Sequence, residues 1–140
     1  MFKIREATME DYIKLQEITN DKSNIHIKME STLEKKELEE FIRSKNNRVY
    51  IVEDSGDPVA FIQFQLNEDN IISIERFSIE KNYKKKGIDE HLYSKLDRFA
   101  NGQGITQMVV YIDAEDHTVY DFFERKGWKQ GQQENIYYLK

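Results

Sequence analysis

The sequence predicts an α/β fold, a mixed sheet with helices on both faces. Three stretches carry that expectation. Residues 71–79 set Ile71, Ile72, Ile74, Phe77 and Ile79 among interleaved polar residues, which is a strand pattern. After a short basic turn, Ile88, Leu92, Leu96 and Phe99 recur at three- and four-residue steps, placing them on one helical face. Residues 108–112 are then apolar without alternation, as in a strand covered on both faces. Strand, helix and strand in that order make a parallel crossover.

The other elements follow in chain order. Residues 2–7 alternate apolar and charged, as a half-buried strand does. Thr8 supplies a hydroxyl cap and Asp11 an acid three residues later, and Tyr12, Leu15 and Ile18 continue a helix on one face. Residues 20–24 break it, and 26–30 show no clear period. Ser31-Thr32-Leu33-Glu34 has capping-box spacing and predicts a second helix, with Leu38, Phe41 and Ile42 inward. Residues 48–53 and 59–66 read as a hairpin around the 54–58 turn, and 67–70 turn again into the central strand. Gly104 closes the central helix, since a helix end often needs a positive φ. Residues 117–126 form a short helix showing Val119, Phe122 and Phe123 inward, Gly127 ends it, and 136–139 is the last strand. The order is strand, two helices, three strands, helix, strand, helix, strand. With no internal repeat, low-complexity tract or linker, residues 1–140 read as one domain.

The chain has 140 residues, a net charge of −5 and no cysteine. The missing cysteine removes disulfides, thiolate metal sites and a cysteine nucleophile. With no long apolar run or signal-peptide pattern, the expectation is a cytoplasmic protein that does not engage a membrane. Its acidic balance disfavours nucleic acid as a partner and mildly favours a cationic substrate. His26, His91 and His117 lack metal-ligand spacing, so no metal is expected.

The chemistry concentrates in the turn Asn82-Tyr83-Lys84-Lys85-Lys86-Gly87. A strand, a basic glycine turn and a helix N-terminus together suit an anion, because first-turn N–H groups have no intrahelical partner. Lys84, Lys85 and Lys86 would attract phosphate as point charges, or form an ordinary solvated loop. Gly87 either lets the backbone approach a phosphate or simply makes the turn. Asp89 is a first-turn acid that stabilises the helix by about 0.3–1 kcal/mol and opposes an incoming anion.

Residues 77–89, FSIEKNYKKKGID, resemble the central motif of the GNAT superfamily of acyl-CoA-dependent N-acetyltransferases. In that motif a strand passes through Arg/Gln-x-x-Gly-x-Gly/Ala into a helix that holds the coenzyme A pyrophosphate. Lys84 falls at the Arg/Gln position, Gly87 at the first glycine, and Asp89 where the second Gly or Ala stands. Residues 122–128, FFERKGW, resemble the late signature Leu/Phe-Tyr-x-Lys-x-Gly-Phe, and the element order matches over essentially the whole chain.

The resemblance implies acetyl-CoA as co-substrate, bound by Phe77, Ser78 and Ile79 on the strand, by Lys84, Lys85, Lys86, Gly87, Ile88 and Asp89 at the turn, and by Asp116 and Phe123. Asp116 aligns with an asparagine that touches the pantetheine arm, although an acid there is also a simple helix cap. Glu75 stands where many members place the acid that takes a proton from the acceptor amine; its plainer reading is a strand glutamate paired across the sheet. Phe123 occupies the place of the tyrosine that protonates the leaving thiolate, which phenylalanine cannot do. Tyr120, three residues earlier on the same helix face, is the candidate substitute, although its plainer reading is a core or surface tyrosine. The expected reaction is direct attack by a primary amine, on a small molecule or peptide, in a ternary complex. The acceptor would lie around 24–31 and 129–134. Two alternatives stand beside it: a non-catalytic sensor of the same fold, and a homodimerisation domain using the apolar 136–139 edge.

Overall fold

The computed structural model describes residues 1–27, 32–112, 117–132 and 136–139. Strand β1 (Phe2–Glu6) pairs antiparallel with β3 (Asn47–Asp54), Ile4 opposite Val52. Asp11 then accepts the Thr8 N–H at 2.8 Å, so residues 9–11 form one tight turn before α1 (Tyr12–Asn20). The same carboxylate receives both ends of the Arg5 guanidinium at 2.8 and 2.9 Å, while Arg5 Nε reaches Glu53 at 2.8 Å. Burial alone would raise the Asp11 carboxyl, but the bonds from Arg5 and Thr8 hold it below the usual carboxylate range. The start of α1 is thereby tied to two strands.

Two elements differ from expectation here. Ile25 and His26 form a strand, β2, where no period was legible. The second helix, α2 (Lys35–Arg43), begins later than the expected capping box, with Glu34 still extended before it. Ser31 lies outside the described residues. Leu33 is fully buried and its carbonyl accepts the Tyr12 hydroxyl at 3.1 Å, which holds the approach to α2 out of helix.

The β3–β4 hairpin, with β4 at Asp57–Leu66, turns on Ser55 and Gly56, both at positive φ (52° and 89°). That is the turn whose twist matches a two-residue hairpin. Next come β5 (Ile71–Ile79), α3 (Ile88–Gln103), β6 (Gln107–Tyr111), α4 (His117–Arg125), β7 (Lys129–Gln130) and β8 (Ile136–Leu139). Gly104 caps α3 at φ 69°, with the Ile105 N–H returning to Ala100 O at 2.8 Å.

The sheet runs β1-β3-β4-β5-β6-β8-β7, with β2 added against β5. Among the described residues only the β5–β6 pairing is parallel. One face carries α3 and α4 over a core that includes Phe64, Phe77, Leu92, Leu96, Phe123 and Trp128. The other carries α1 and α2 over Leu15, Leu38, Ile51 and Phe61. Strand β8 is bonded to β6 on one side and to β7 on the other. Its apolar run is therefore explained by pairing within the chain, and the free dimer edge expected at 136–139 is filled.

Two features of β5 position the site. It pairs with β6 only from Ile71 to Ile74, whereas its pairing with β4 continues to Ile79, so β5 and β6 part halfway. At the parting the β4–β5 register slips: Phe64 opposes Ile74 and Gln63 opposes Arg76, leaving Glu75 as the extra residue of a bulge.

Candidate active site

The basic turn is held in place from outside. The Tyr83 hydroxyl donates to Asp54 Oδ2 at 2.8 Å, and the Tyr83 ring meets Phe2 edge-on at 5.9 Å. That bond pushes the Tyr83 phenol up and the Asp54 carboxyl down from their ordinary values. Lys85 and Gly87 both adopt positive φ (65° and 77°), and Gly87 is the N-cap of α3. Only glycine enters that region without penalty, so Gly87 has a conformational reason to be there. Of the first-turn donors, the Glu90 N–H is taken by Asp89 Oδ1 at 2.9 Å. Asp89 thus takes one of the groups an anion would use.

Beside the turn lies a cavity of about 160 Å³. Phe77 and Ile79 of β5 form one wall, and Tyr83, Lys84, Lys85, Ile88 and Asp89 form the basic end. Thr118, Val119, Phe122 and Arg125 of α4 form the far wall, and Ile25 and Ile27 also line the cavity. Of the residues singled out in the sequence, Phe77, Ile79, Lys84, Lys85, Ile88 and Asp89 come together here. Lys86 and Gly87 are exposed at the turn without lining the cavity. Phe123 is fully buried, ringed edge-on by Trp128 at 5.0 Å, Phe122 at 5.4 Å and Tyr93 at 6.3 Å. Tyr120 is half-buried with its hydroxyl 3.5 Å from Ile112 O, at the end of β6, and its ring against Tyr137. Asp116 lies outside the described residues.

Glu75 and Ser78 belong to the opposite face of the sheet. Glu75 accepts the Gln65 amide at 2.9 Å, and the neighbouring buried Arg76 reaches Glu37 of α2 at 3.3 Å. Gln63, almost fully buried beside Arg76, leaves its Oε1 without a partner among the described residues. Ser78 Oγ lies 2.8 Å from His26 Nδ1. One face at the split is therefore apolar with a basic end, and the other carries a polar group of Gln63, Gln65, Glu75, Arg76 and Ser78. Sequence reasoning missed Phe122 and Arg125 as lining of this cavity, and it gave Ile25, His26 and Ile27 only as part of the 24–31 acceptor stretch, whereas Ile25 and Ile27 line the cavity and His26 pairs with Ser78. For Arg125 a signal existed, since it stands at the lysine of the late-helix signature.

Asp89 gives a direct test of the turn. If phosphate binds there, Asp89→Gly removes both a competitor for the Glu90 N–H and an opposing charge. The variant should melt lower without ligand, because it loses a first-turn acid and gains a residue poorer in helix by up to about 1 kcal/mol. It should bind acetyl-CoA about tenfold more tightly, equivalent to about 1.4 kcal/mol, with the gap narrowing in high salt. Calorimetric titration of both proteins at two salt concentrations measures this; equal or weaker binding at low salt refutes a phosphate site at these N–H groups.

The chain belongs to the acetyltransferase (GNAT) family, whose model matches residues 11–128. Among solved structures it resembles the PaiA N-acetyltransferase of Thermoplasma acidophilum, solved with coenzyme A (TM-score 0.83, 17% identity, covering 100% of this chain and 99% of that one). It also resembles a GNAT acetyltransferase of Staphylococcus aureus Mu50 (0.83, 12%, 99% and 98%). A third is a putative streptothricin acetyltransferase of Bacillus anthracis, solved with acetyl coenzyme A (0.78, 16%, 99% and 98%). At such identities these likenesses show the shared fold. No curated protein is similar enough in sequence to count as a match. Among the described residues no helix is long and apolar enough to cross a membrane.

Proposed function

We propose that this protein is an N-acetyltransferase that moves the acetyl group of acetyl-CoA to a primary amine. The observation that carries this reading is the cavity beside the β5–β6 split, with a basic helix N-terminus at one end and a bulged acid, Glu75, on the opposite face of the sheet at the same split. Acetyl-CoA supplies a thioester carbon open to attack by an amine. Lys84 and Lys85 hold its phosphates, with Arg125 across the cavity adding a third positive charge, and Phe77, Ile79, Val119 and Phe122 exclude water from the arm. An acceptor amine reaches the split from the α1–α2 face, where Glu75 takes the proton that an ammonium must lose before it can attack. The Tyr120 hydroxyl, at the end of β6, is the proton donor we assign to the departing sulfur.

A second reading keeps coenzyme binding and drops catalysis. It is favoured by Phe123, which puts a ring without a proton donor into the core at the family's tyrosine position, and by Asp89 on the anion site. Thermal melting tests what both readings share. Acetyl-CoA at a hundredfold its dissociation constant should stabilise the fold by about 2.7 kcal/mol, a rise of several degrees in Tm. If millimolar acetyl-CoA moves Tm no more than adenine does, both readings fail. If it binds and no amine in a broad panel is acetylated, the sensor stands.

A further inference from the structure

Strand β2 occupies the edge of β5 that the parting of β6 leaves open. Ile25 pairs with Ile79 and His26 with Ser78, and the Ile27 N–H donates to Phe77 O at 3.0 Å. Since β4 pairs along the other side of Ser78 and Ile79, this end of β5 is bonded on both edges. Side chains latch the short contact. His26 Nε2 faces a carbonyl, Asp21 O at 2.9 Å, and so donates to it, while Nδ1 meets the Ser78 hydroxyl at 2.8 Å. Asn24 anchors the root, donating to Ile18 O at 3.0 Å and accepting the Lys81 N–H at 3.1 Å. Ile25 and Ile27 leave a cavity of about 160 Å³. That is roughly half the ~300 Å³ at which ordinary ligand pockets begin.

We infer that residues 21–27 are a displaceable strap: they hold the strand edge that the amide-bearing arm of acetyl-CoA takes, and binding proceeds by their release. This rests on the coenzyme reading above. The arm of acetyl-CoA is an extended chain with two amides, which bonds to a strand edge as a peptide does. The basic turn fixes its phosphate end beside Ile88, so the arm runs along the wall made by Phe77 and Ile79. The N–H and C=O groups of that wall cannot serve β2 and the arm together. A two-residue strand is short enough to exchange. Apparent affinity is then the intrinsic affinity multiplied by the fraction of molecules whose strap is open, so the latch sets the sensitivity of the protein to acetyl-CoA.

The chain has no cysteine, which allows a crosslink to test this. His26 and Ser78 oppose each other between hydrogen-bonded pairs, where antiparallel Cα atoms stand about 4.5 Å apart, within disulfide reach. The His26→Cys/Ser78→Cys variant is oxidised with diamide, and acetyl-CoA binding is titrated calorimetrically before and after reduction. The oxidised form should bind at least about tenfold more weakly than the same protein reduced; equal affinity overturns the strap. In the unaltered protein, acetyl-CoA should speed hydrogen exchange at the Ile27 amide; an unchanged or slowed amide overturns it too. If neither the unaltered protein nor the reduced variant binds millimolar acetyl-CoA, the coenzyme reading itself falls and the strap with it.

Discussion

Glu75→Gln should lower kcat/KM for amine acetylation by about a hundred- to ten-thousand-fold, the usual contribution of a positioned general base. The amide keeps the shape of the side chain and can still meet Gln65, so the bulge survives while the proton acceptor is lost. The deficit should be largest at acidic pH, where more of the amine arrives as ammonium and needs deprotonation. Acetyl-CoA should raise the Tm of the variant as it does that of the parent, because Glu75 lies on the face of the sheet opposite the cavity. Steady-state kinetics across pH, paired with thermal melting, measures both. A loss below about threefold would make Glu75 a strand glutamate held by Gln65 and move the base elsewhere.

Phe123→Ala should destabilise the fold by about 3–5 kcal/mol, the range for removing a fully buried phenylalanine. The ring has no exposed surface and meets Phe122, Tyr93 and Trp128 edge-on. Its neighbours are tied to each other by the Trp128 Nε1–H bond to the Tyr93 hydroxyl at 2.7 Å, so they cannot easily collapse into the space left. Burial raises that Tyr93 phenol above its ordinary value, with the Trp128 bond opposing part of the rise. Urea denaturation reads the change directly. A loss below about 1 kcal/mol would show that position 123 faces the cavity, where a ring can be removed cheaply. The same packing explains why phenylalanine suits this position: a tyrosine hydroxyl without a partner here would cost about 1–3 kcal/mol.

Much of the frame was legible in the sequence because it is local. The period-two run of β5, the three- and four-residue steps of α3 and the inward face of α4 each belong to one segment. The positive-φ glycines at 56, 87 and 104 mark turns where few other residues fit. The basic turn before α3 was legible for the same reason, and Lys84, Lys85, Ile88 and Asp89 do gather at one cavity.

What the tertiary structure decided is what depends on a second segment. The bulge at Glu75 is a slip of register between β4 and β5, and neither strand alone records it. The apolar run of β8 read as an edge until β7, only two residues long, covered its open side. Phe123 matched a site position by motif, yet Tyr93 and Trp128 draw its ring into the core. Strand β2 is the furthest case. Two residues are too few to show a period, and His26 finds its partner Ser78 only because folding brings together positions 52 residues apart. Sequence determined which of the longer segments become strand and helix, because backbone preference and burial period act within a segment; the two-residue strands β2 and β7 formed only where a partner edge reached them. Folding alone determined which backbone edge each strand satisfies, because an N–H or C=O is bonded by whatever segment reaches it in space.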